Sequence, residues 1–357
     1  MALCLSGGGY RAMVFHLGCL WRLNEAGLLG NLKRISSVSG GSITSAVLGL
    51  AWDSLQFNNG RSDRLEEAVI QPVLEMARHT VDESAVLEGL LLPGTVSERI
   101  NKQYDNVLFH GKTLQQLPAD PRFVINSTNV QSGVLMRFSR PYMRDYRVGQ
   151  VLNPQLPVAI AVAASSAFPP ILSPCQIDLT AYGVKLEPAG GEDLAQEPYT
   201  TKLVLSDGGV YDNLGLETIW KRYTKLLVSD GGGHYKPEPE PHHDWARHSI
   251  RVLDLIDSQV RALRTRQVMT LFEDNKRTGA FWSIRQDIKT YGENPNLPCP
   301  IARTMELAAT PTRLQKMDEV LQQRLINWGY AICDAALRKY LDTTDPAPQF
   351  PYPAVGV

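Results

Sequence analysis

Three short runs in this chain join small residues to groups able to attack a carbonyl or carry a proton, and each follows an apolar, strand-like segment. The first is Ser6-Gly7-Gly8-Gly9-Tyr10-Arg11. Its glycines let the backbone turn tightly and line up N–H groups at a helix N-terminus, which suits an anion. A dinucleotide pyrophosphate and the oxyanion of an acyl-transfer intermediate both fit that description. Gly7, Gly9 and Ala12 meet the relaxed dinucleotide fingerprint, which also requires a carboxylate at the end of the second strand. Here that strand ends in Ser36-Ser37-Val38-Ser39. A phosphate-binding P-loop fails as well, since no Gly-Lys-Ser/Thr follows.

The second run is Ser37-Val38-Ser39-Gly40-Gly41. It has the form of a nucleophile elbow, with Ser39 at the apex of a strained strand-to-helix turn and a glycine two positions on. Small neighbours are needed because the backbone folds sharply beneath the apex side chain. The usual first glycine is replaced by Ser37, which is still small. Ser36, Ser37 and Ser42 compete on composition alone, but only Ser39 holds the apex position. The bland alternative is a helix N-cap, and a cap needs one serine rather than two glycines inside the turn.

The third run, Ser206-Asp207-Gly208-Gly209-Val210-Tyr211-Asp212-Asn213-Leu214-Gly215, ends a strand in a carboxylate and two glycines. The loop turns away while Asp207 faces the strand-end side, where α/β proteins bind ligands. Asp230-Gly231-Gly232 repeats the local shape one strand later and is a rival. Asp207 is preferred because Asp212-Asn213 extends its match, whereas a bare Asp-Gly-Gly is common turn chemistry.

The elements that must position these runs alternate. Ala2 to Leu5 read as a strand and Tyr10 to Ala26 as a helix with Met13, Val14, Leu17, Leu20 and Trp21 on one stripe; Gly27 ends it. A second strand near Arg34 to Val38 and a helix from about Gly41 to Trp52 follow, so a mostly parallel sheet with helices on both faces is expected. Helical patterns at Leu65 to Arg78 and Val81 to Leu92, broken at Pro93-Gly94, suggest a helical insert over about 53–112. Phe123 to Asn126 and Val134 to Phe138 read as neighbouring strands, with further strands at Leu203 to Leu205 and Leu226 to Val228. After a polar loop, helices are expected at Ile250 to Phe272, with Arg261, Arg264 and Arg266 on a solvated face, and at Pro311 to Tyr340. The domain reading is a catalytic core over 1–235, a helical C-terminal extension over 236–342 packed on it, and a proline-rich tail over 343–357.

Composition narrows the classes. With 357 residues, 43% hydrophobic and 20% charged, the chain is ordinarily globular, and a net charge of -1 supplies no basic field for nucleic acid. Five scattered cysteines signal neither a disulfide framework nor a zinc site and point to a reducing, cytoplasmic setting. No signal peptide is evident at Met1, although a strand starting at the first residues leaves room for a natural leader ahead of it. The longest apolar stretch, Val158 to Leu172, is broken by serines and prolines, so membrane contact is expected to be peripheral. No acidic loop has calcium-binding spacing, and no cofactor is expected.

Taken together and in order, the three runs resemble the patatin-like phospholipase family and the related cytosolic phospholipases. Asn126-Ser127-Thr128-Asn129 and Ala161 to Pro170 are similar too, so the resemblance spans roughly Ala2 to Gly233 apart from the insert. It implies a Ser–Asp dyad without histidine, with Ser39 as nucleophile and Asp207 as base. It also implies an oxyanion hole from the glycine turn, drawn from Gly7, Gly8, Gly9 and Gly40, and a phospholipid or other acyl-ester substrate. Arg11 would anchor the turn or read a lipid phosphate. A histidine triad is the competing mechanism, but His16, His234, His242, His243 and His248 stand in no order typical of hydrolases. His79 and His110 read as surface or structural residues. The alternatives from other classes are a nucleotide-binding α/β module and a lipid-binding module that keeps the fold without hydrolysis. Trp245, Phe272, Phe281 and Trp282 could face lipid, with buried core the commoner role.

Overall fold

The computed structural model describes residues 1–81, 96–233, 237–292, 297–343 and 348–357. The expected helix at Val81 to Leu92, its Pro93-Gly94 break and His234 lie outside the described residues apart from Val81 itself. Ten strands form one sheet: β1 (Ala2–Leu5), β2 (Arg34–Val38), β3 (Arg122–Asn129), β4 (Val134–Phe138), β5 (Tyr142–Asp145), β6 (Gly149–Leu152), β7 (Cys175–Asp178), β8 (Lys202–Asp207), β9 (Lys225–Asp230) and β10 (Thr278–Ser283). The path β10-β9-β1-β2-β3 is parallel, and β4, β5 and β6 continue it antiparallel. The helices are α1 (Gly9–Glu25), α2 (Gly40–Ala51), α3 (Gln71–Ala77), α4 (Val96–Tyr104), α5 (Val158–Ser165), the single turn α6 (Gly209–Asp212), α7 (Trp245–Glu273), α8 (Ile301–Ala308) and α9 (Glu319–Leu341).

Strand alternation divides the core between the two faces of the sheet. Leu3 and Leu5 of β1 join Leu227, Trp282 and the side chains of α1 and α9 on one face. Ala2 and Cys4 join Leu226, Val228, Phe281 and Val268 of α7 on the other. The C-terminal segment thus contributes helices to both faces, and it also adds the edge strand β10 to the sheet. Helix α1 is buried on nearly every side rather than along one stripe. The reason is α9, whose backbone crosses it closely: a Cβ at Gly18 would lie 1.9 Å from the Ile326 carbonyl oxygen, and one at Gly329 would lie 2.0 Å from that of Phe15.

Two expectations for the C-terminal half need correction. The helix expected from Pro311 begins only at Glu319, where the Asp318 side chain accepts the Leu321 N–H at 2.9 Å. The segment before it is held irregular because the Arg313 carbonyl accepts the Tyr10 N–H at 3.0 Å, tying it to the glycine turn. Arg261 is not solvated. It is buried, donating to Asp257 at 2.7 Å and to the Gly233 carbonyl at 2.9 Å. Phe281 and Trp282 are core residues, while Trp245 is 83% exposed. Among the described residues no helix is long and apolar enough to cross a membrane.

The arrangement that matters most lies on one edge of β3. The other edge is occupied by β4, which pairs with Ile125–Asn129. On the near edge β2 pairs parallel with the first part of β3, ending with Val38 opposite Asn126. Antiparallel β8 takes over at the next residue, with Asp207 opposite Ser127. Two strands therefore run toward each other along one edge, and their C-terminal ends meet. One end delivers Ser39 and the other Asp207.

Candidate active site

Ser39 occupies the turn between β2 and α2 with φ 51° and ψ −122°, a strained conformation for a residue with a side chain. Holding such a residue in place costs about 1–3 kcal/mol and needs close support. The glycine behind it is that support, because a Cβ at Gly40 would stand 2.0 Å from the Gly9 carbonyl oxygen. That contact also shows that the first residues of α1 and α2 touch. Two helix N-termini, each with unsatisfied N–H groups and a positive dipole end, therefore converge beside Ser39. Ser37, the departure from the elbow pattern, is buried, and its hydroxyl accepts from Ser42 at 3.1 Å.

Of the four glycines expected as oxyanion donors, three keep their donors and one does not. The Gly7 N–H donates to the Asn213 carbonyl at 3.1 Å, so it is spent on closing the turn against the loop after β8. No partner among the described residues takes up the N–H of Gly8, Gly9 or Gly40.

Asp207 is 2% exposed. Its Oδ1 accepts the Gly209 N–H at 2.7 Å, its backbone N–H donates to the Ala167 carbonyl at 2.9 Å, and Thr128 Oγ1 donates to its carbonyl at 2.8 Å. Its Oδ2 is buried without a hydrogen bond of full geometry. The Ser39 hydroxyl approaches the carboxylate closely enough to lower its pKa, yet falls short of a complete bond, as is common in unliganded sites. Burial is the larger influence. It pushes the Asp207 carboxyl up to about 7, against the opposing pull of Gly209 and Ser39.

The rival Asp230 sits in a different environment. Arg285 reaches it at 2.7 Å, Ser283 donates to it at 3.1 Å and the Gly232 N–H at 2.9 Å. Burial pushes this carboxyl up, but Arg285 and Arg261 more than reverse the effect and hold it below the ordinary range. Its turn supports the glycine run: the Gly231 N–H donates to Ser6 Oγ at 2.8 Å. Arg11 completes that brace. It is buried and donates to the Gly231 carbonyl at 3.1 Å, to Thr312 Oγ1 at 3.0 Å and to the Thr310 carbonyl. With its guanidinium so engaged, Arg11 anchors the turn.

Both ring nitrogens of His16 are engaged, one with Ser229 Oγ at 2.8 Å and the other with the Ser6 carbonyl at 3.0 Å. His79, His110, His242, His243 and His248 are exposed. Among the described residues no group of His, Cys, Asp and Glu side chains is placed to hold a metal ion. Two residues of the site escaped sequence reasoning. Asn213 closes the glycine turn through its carbonyl, and Ser165 receives the Ser39 N–H at 2.9 Å. Their only signal was membership of runs already noted, Asp212-Asn213 and Ala161 to Pro170.

Comparison with known proteins supplies the family and the fold. The patatin-like phospholipase family model matches residues 3–220. No curated protein matches the sequence. Among solved structures, human GIVD cytosolic phospholipase A2 superposes with a TM-score of 0.55 at 12% identity, covering 96% of this chain and 63% of that one. The same human enzyme in complex with methyl gamma-linolenyl fluorophosphonate and terbium chloride gives a TM-score of 0.51 at 14% identity, covering 96% and 59%. This chain thus spans less than two thirds of those proteins, and at such identity the likeness is one of fold. A family model spanning more than half the chain, on a sheet that brings the elbow and the Asp-Gly-Gly turn together, settles the classification: the chain belongs to the patatin-like phospholipase family.

Proposed function

We propose that this protein is a serine acyl hydrolase that cleaves acyl esters of lipids through a Ser39–Asp207 dyad. One observation carries the reading: a serine on a strained turn adjoins a buried carboxyl without a cationic partner, its pKa raised to about 7, at the meeting point of two helix N-termini. A carboxylate in that state takes a proton readily near neutral pH, which suits a general base. Ser39 Oγ attacks the acyl carbonyl as its proton passes to Asp207 Oδ2. The C–O π bond opens and the negative charge gathers on the carbonyl oxygen. The N–H groups of Gly8, Gly9 and Gly40 receive that oxyanion, each such donor being worth about 3 kcal/mol in the transition state. Asp207 then gives the proton to the departing alcohol, leaving an acyl-Ser39 ester. Water attacks this ester as Asp207 accepts its proton; the acyl–Oγ bond then breaks, the fatty acid leaves, and Asp207 returns the proton to Ser39 Oγ.

Family membership supports lipid as the substrate class. Exposed Trp245, Leu253 and Ile256 on the first half of α7, which packs against the α6 turn following Asp207, support peripheral contact with a lipid surface. The nucleotide-binding alternative lacks the carboxylate its fingerprint requires at the end of β2, which closes in Ser36-Ser37-Val38. The test is fatty-acid release from phosphatidylcholine vesicles and from a soluble nitrophenyl ester. Wild type releases acid from both, and Ser39→Ala loses at least about a thousandfold in rate. Release unaffected by that substitution excludes the dyad. Cleavage of the soluble ester with intact vesicles excludes phospholipid but keeps the hydrolase.

A further inference from the structure

Ser165 closes α5, and its side chain and main chain serve the two halves of the site separately. A serine hydroxyl has one proton and two lone pairs. The proton goes to the Asn126 carbonyl at 2.6 Å. One lone pair takes the Ser39 N–H at 2.9 Å, and Ser42 Oγ, which donates to Ser37, stands 2.9 Å away. Ser165 itself is fully buried, so these contacts are made away from solvent. The Ser165 carbonyl meanwhile accepts the Gly208 N–H at 3.1 Å, and two residues on the Ala167 carbonyl accepts the Asp207 N–H at 2.9 Å. Asn126 is where β3 exchanges β2 for β8. One residue therefore clamps the elbow, the Asp207 turn and the strand between them.

We infer that Ser165 is a positioning residue, which sets the distance and orientation of the Ser39 hydroxyl relative to the Asp207 carboxylate. The inference rests on the dyad reading above. Ser39 has a strained backbone, and its N–H bond to Ser165 Oγ opposes relaxation of that strain. Without the bond the apex rotates, and the hydroxyl leaves the line between Asp207 and the attacked carbon. A misplacement of about 1 Å lowers rate by about a hundredfold without weakening substrate binding.

Ser165→Ala is compared with wild type and with Thr44→Ala, which removes another buried hydroxyl that donates to the Met13 carbonyl at 2.9 Å across α1 and α2. Turnover of a soluble nitrophenyl ester, the rate of labelling by a fluorophosphonate probe and the melting temperature are measured for each. Ser165→Ala is expected to lower kcat and the labelling rate together by about 10- to 100-fold with KM within about twofold. Thr44→Ala is expected to lose similar stability but stay within about threefold of wild-type kcat. If kcat follows melting temperature in both variants, or if Ser165→Ala turns over like wild type, Ser165 has no positioning role. Should Ser165→Ala fail to fold, Ser165→Cys keeps the size with a weaker acceptor and carries the test. A kcat loss of about fivefold or more at unchanged KM supports the role, and an unchanged kcat overturns it. Folded wild type that neither labels nor turns over overturns the dyad itself, and the positioning role with it.

Discussion

Two Asp-Gly-Gly turns stand at strand ends on the same side of this molecule, and their sequences barely differ. Asp207 ends β8 and Asp230 ends β9; both are buried, and each accepts the N–H two residues on. What separates them is the company each keeps. Asp230 faces Arg285 and Arg261, which hold it ionised. Asp207 has no cation among its dominant influences and faces Ser39 instead. A buried carboxylate with a cation is a structural ion, whereas one without keeps its proton near neutrality and can exchange it. The identical motif thus serves one role as a brace for the glycine turn and another as a proposed base, and the difference lies wholly in residues distant in sequence.

Exchanging each carboxyl for its amide opens this contrast widest. Asp207→Asn is expected to lower kcat by about 10⁴-fold while leaving the melting temperature at pH 8 unchanged or raised, because a buried carboxylate without a cation is removed. Asp230→Asn should do the reverse. It strands Arg285, and urea denaturation should show a loss of about 3–5 kcal/mol while the activity per folded molecule stays within about tenfold. Interchanged results would mean that the two aspartates have been assigned the wrong way round.

The pH dependences should differ in sign. Asp207 is raised above its ordinary 3.8, so its protonated form favours folding: that contribution is full below about pH 4 and is lost as pH rises through about 7. Asp230 is lowered, so its contribution is present above the ordinary value and lost as pH falls through the depressed one. A profile of kcat/KM should accordingly rise with an apparent pKa of about 7, and the stability of Asp207→Asn should lose the slope wild type shows across that range. A flat profile between pH 5 and 8 would remove Asp207 as the base. The smallest expected effect is that of Arg285→Gln, about 1.5 kcal/mol in urea denaturation, since Ser283, Gly232 and Arg261 still attend Asp230.

Much of this site could be read from the chain because its chemistry is local. The elbow declares itself in the serine and glycines around Ser39, and the glycine turn in three consecutive residues. The mostly parallel sheet followed from alternation of apolar runs and helices. What could not be read is whatever depends on distant partners. Sequence shape favoured Asp207 only through the longer match at Asp212-Asn213; the difference in environment was illegible, because Arg285 lies 55 residues beyond Asp230. Loss of the Gly7 donor depends on Asn213, and the clamp at Ser39 depends on Ser165, 126 residues away. The late start of α9 has the same origin, since residues 310–313 are held by Arg11 and Tyr10. Burial of α1 on nearly every side likewise required α9, whose glycine faces could not be paired from spacing alone.

The dyad stands or falls on whether Ser39 is nucleophilic. Incubation of the folded protein with a fluorophosphonate probe, followed by peptide mass mapping, should find a single adduct on Ser39 in wild type and in Asp230→Asn. Labelling should be slowed by orders of magnitude in Asp207→Asn and absent in Ser39→Ala. An adduct on another serine, or none on folded and turnover-competent protein, would contradict the Ser39–Asp207 mechanism.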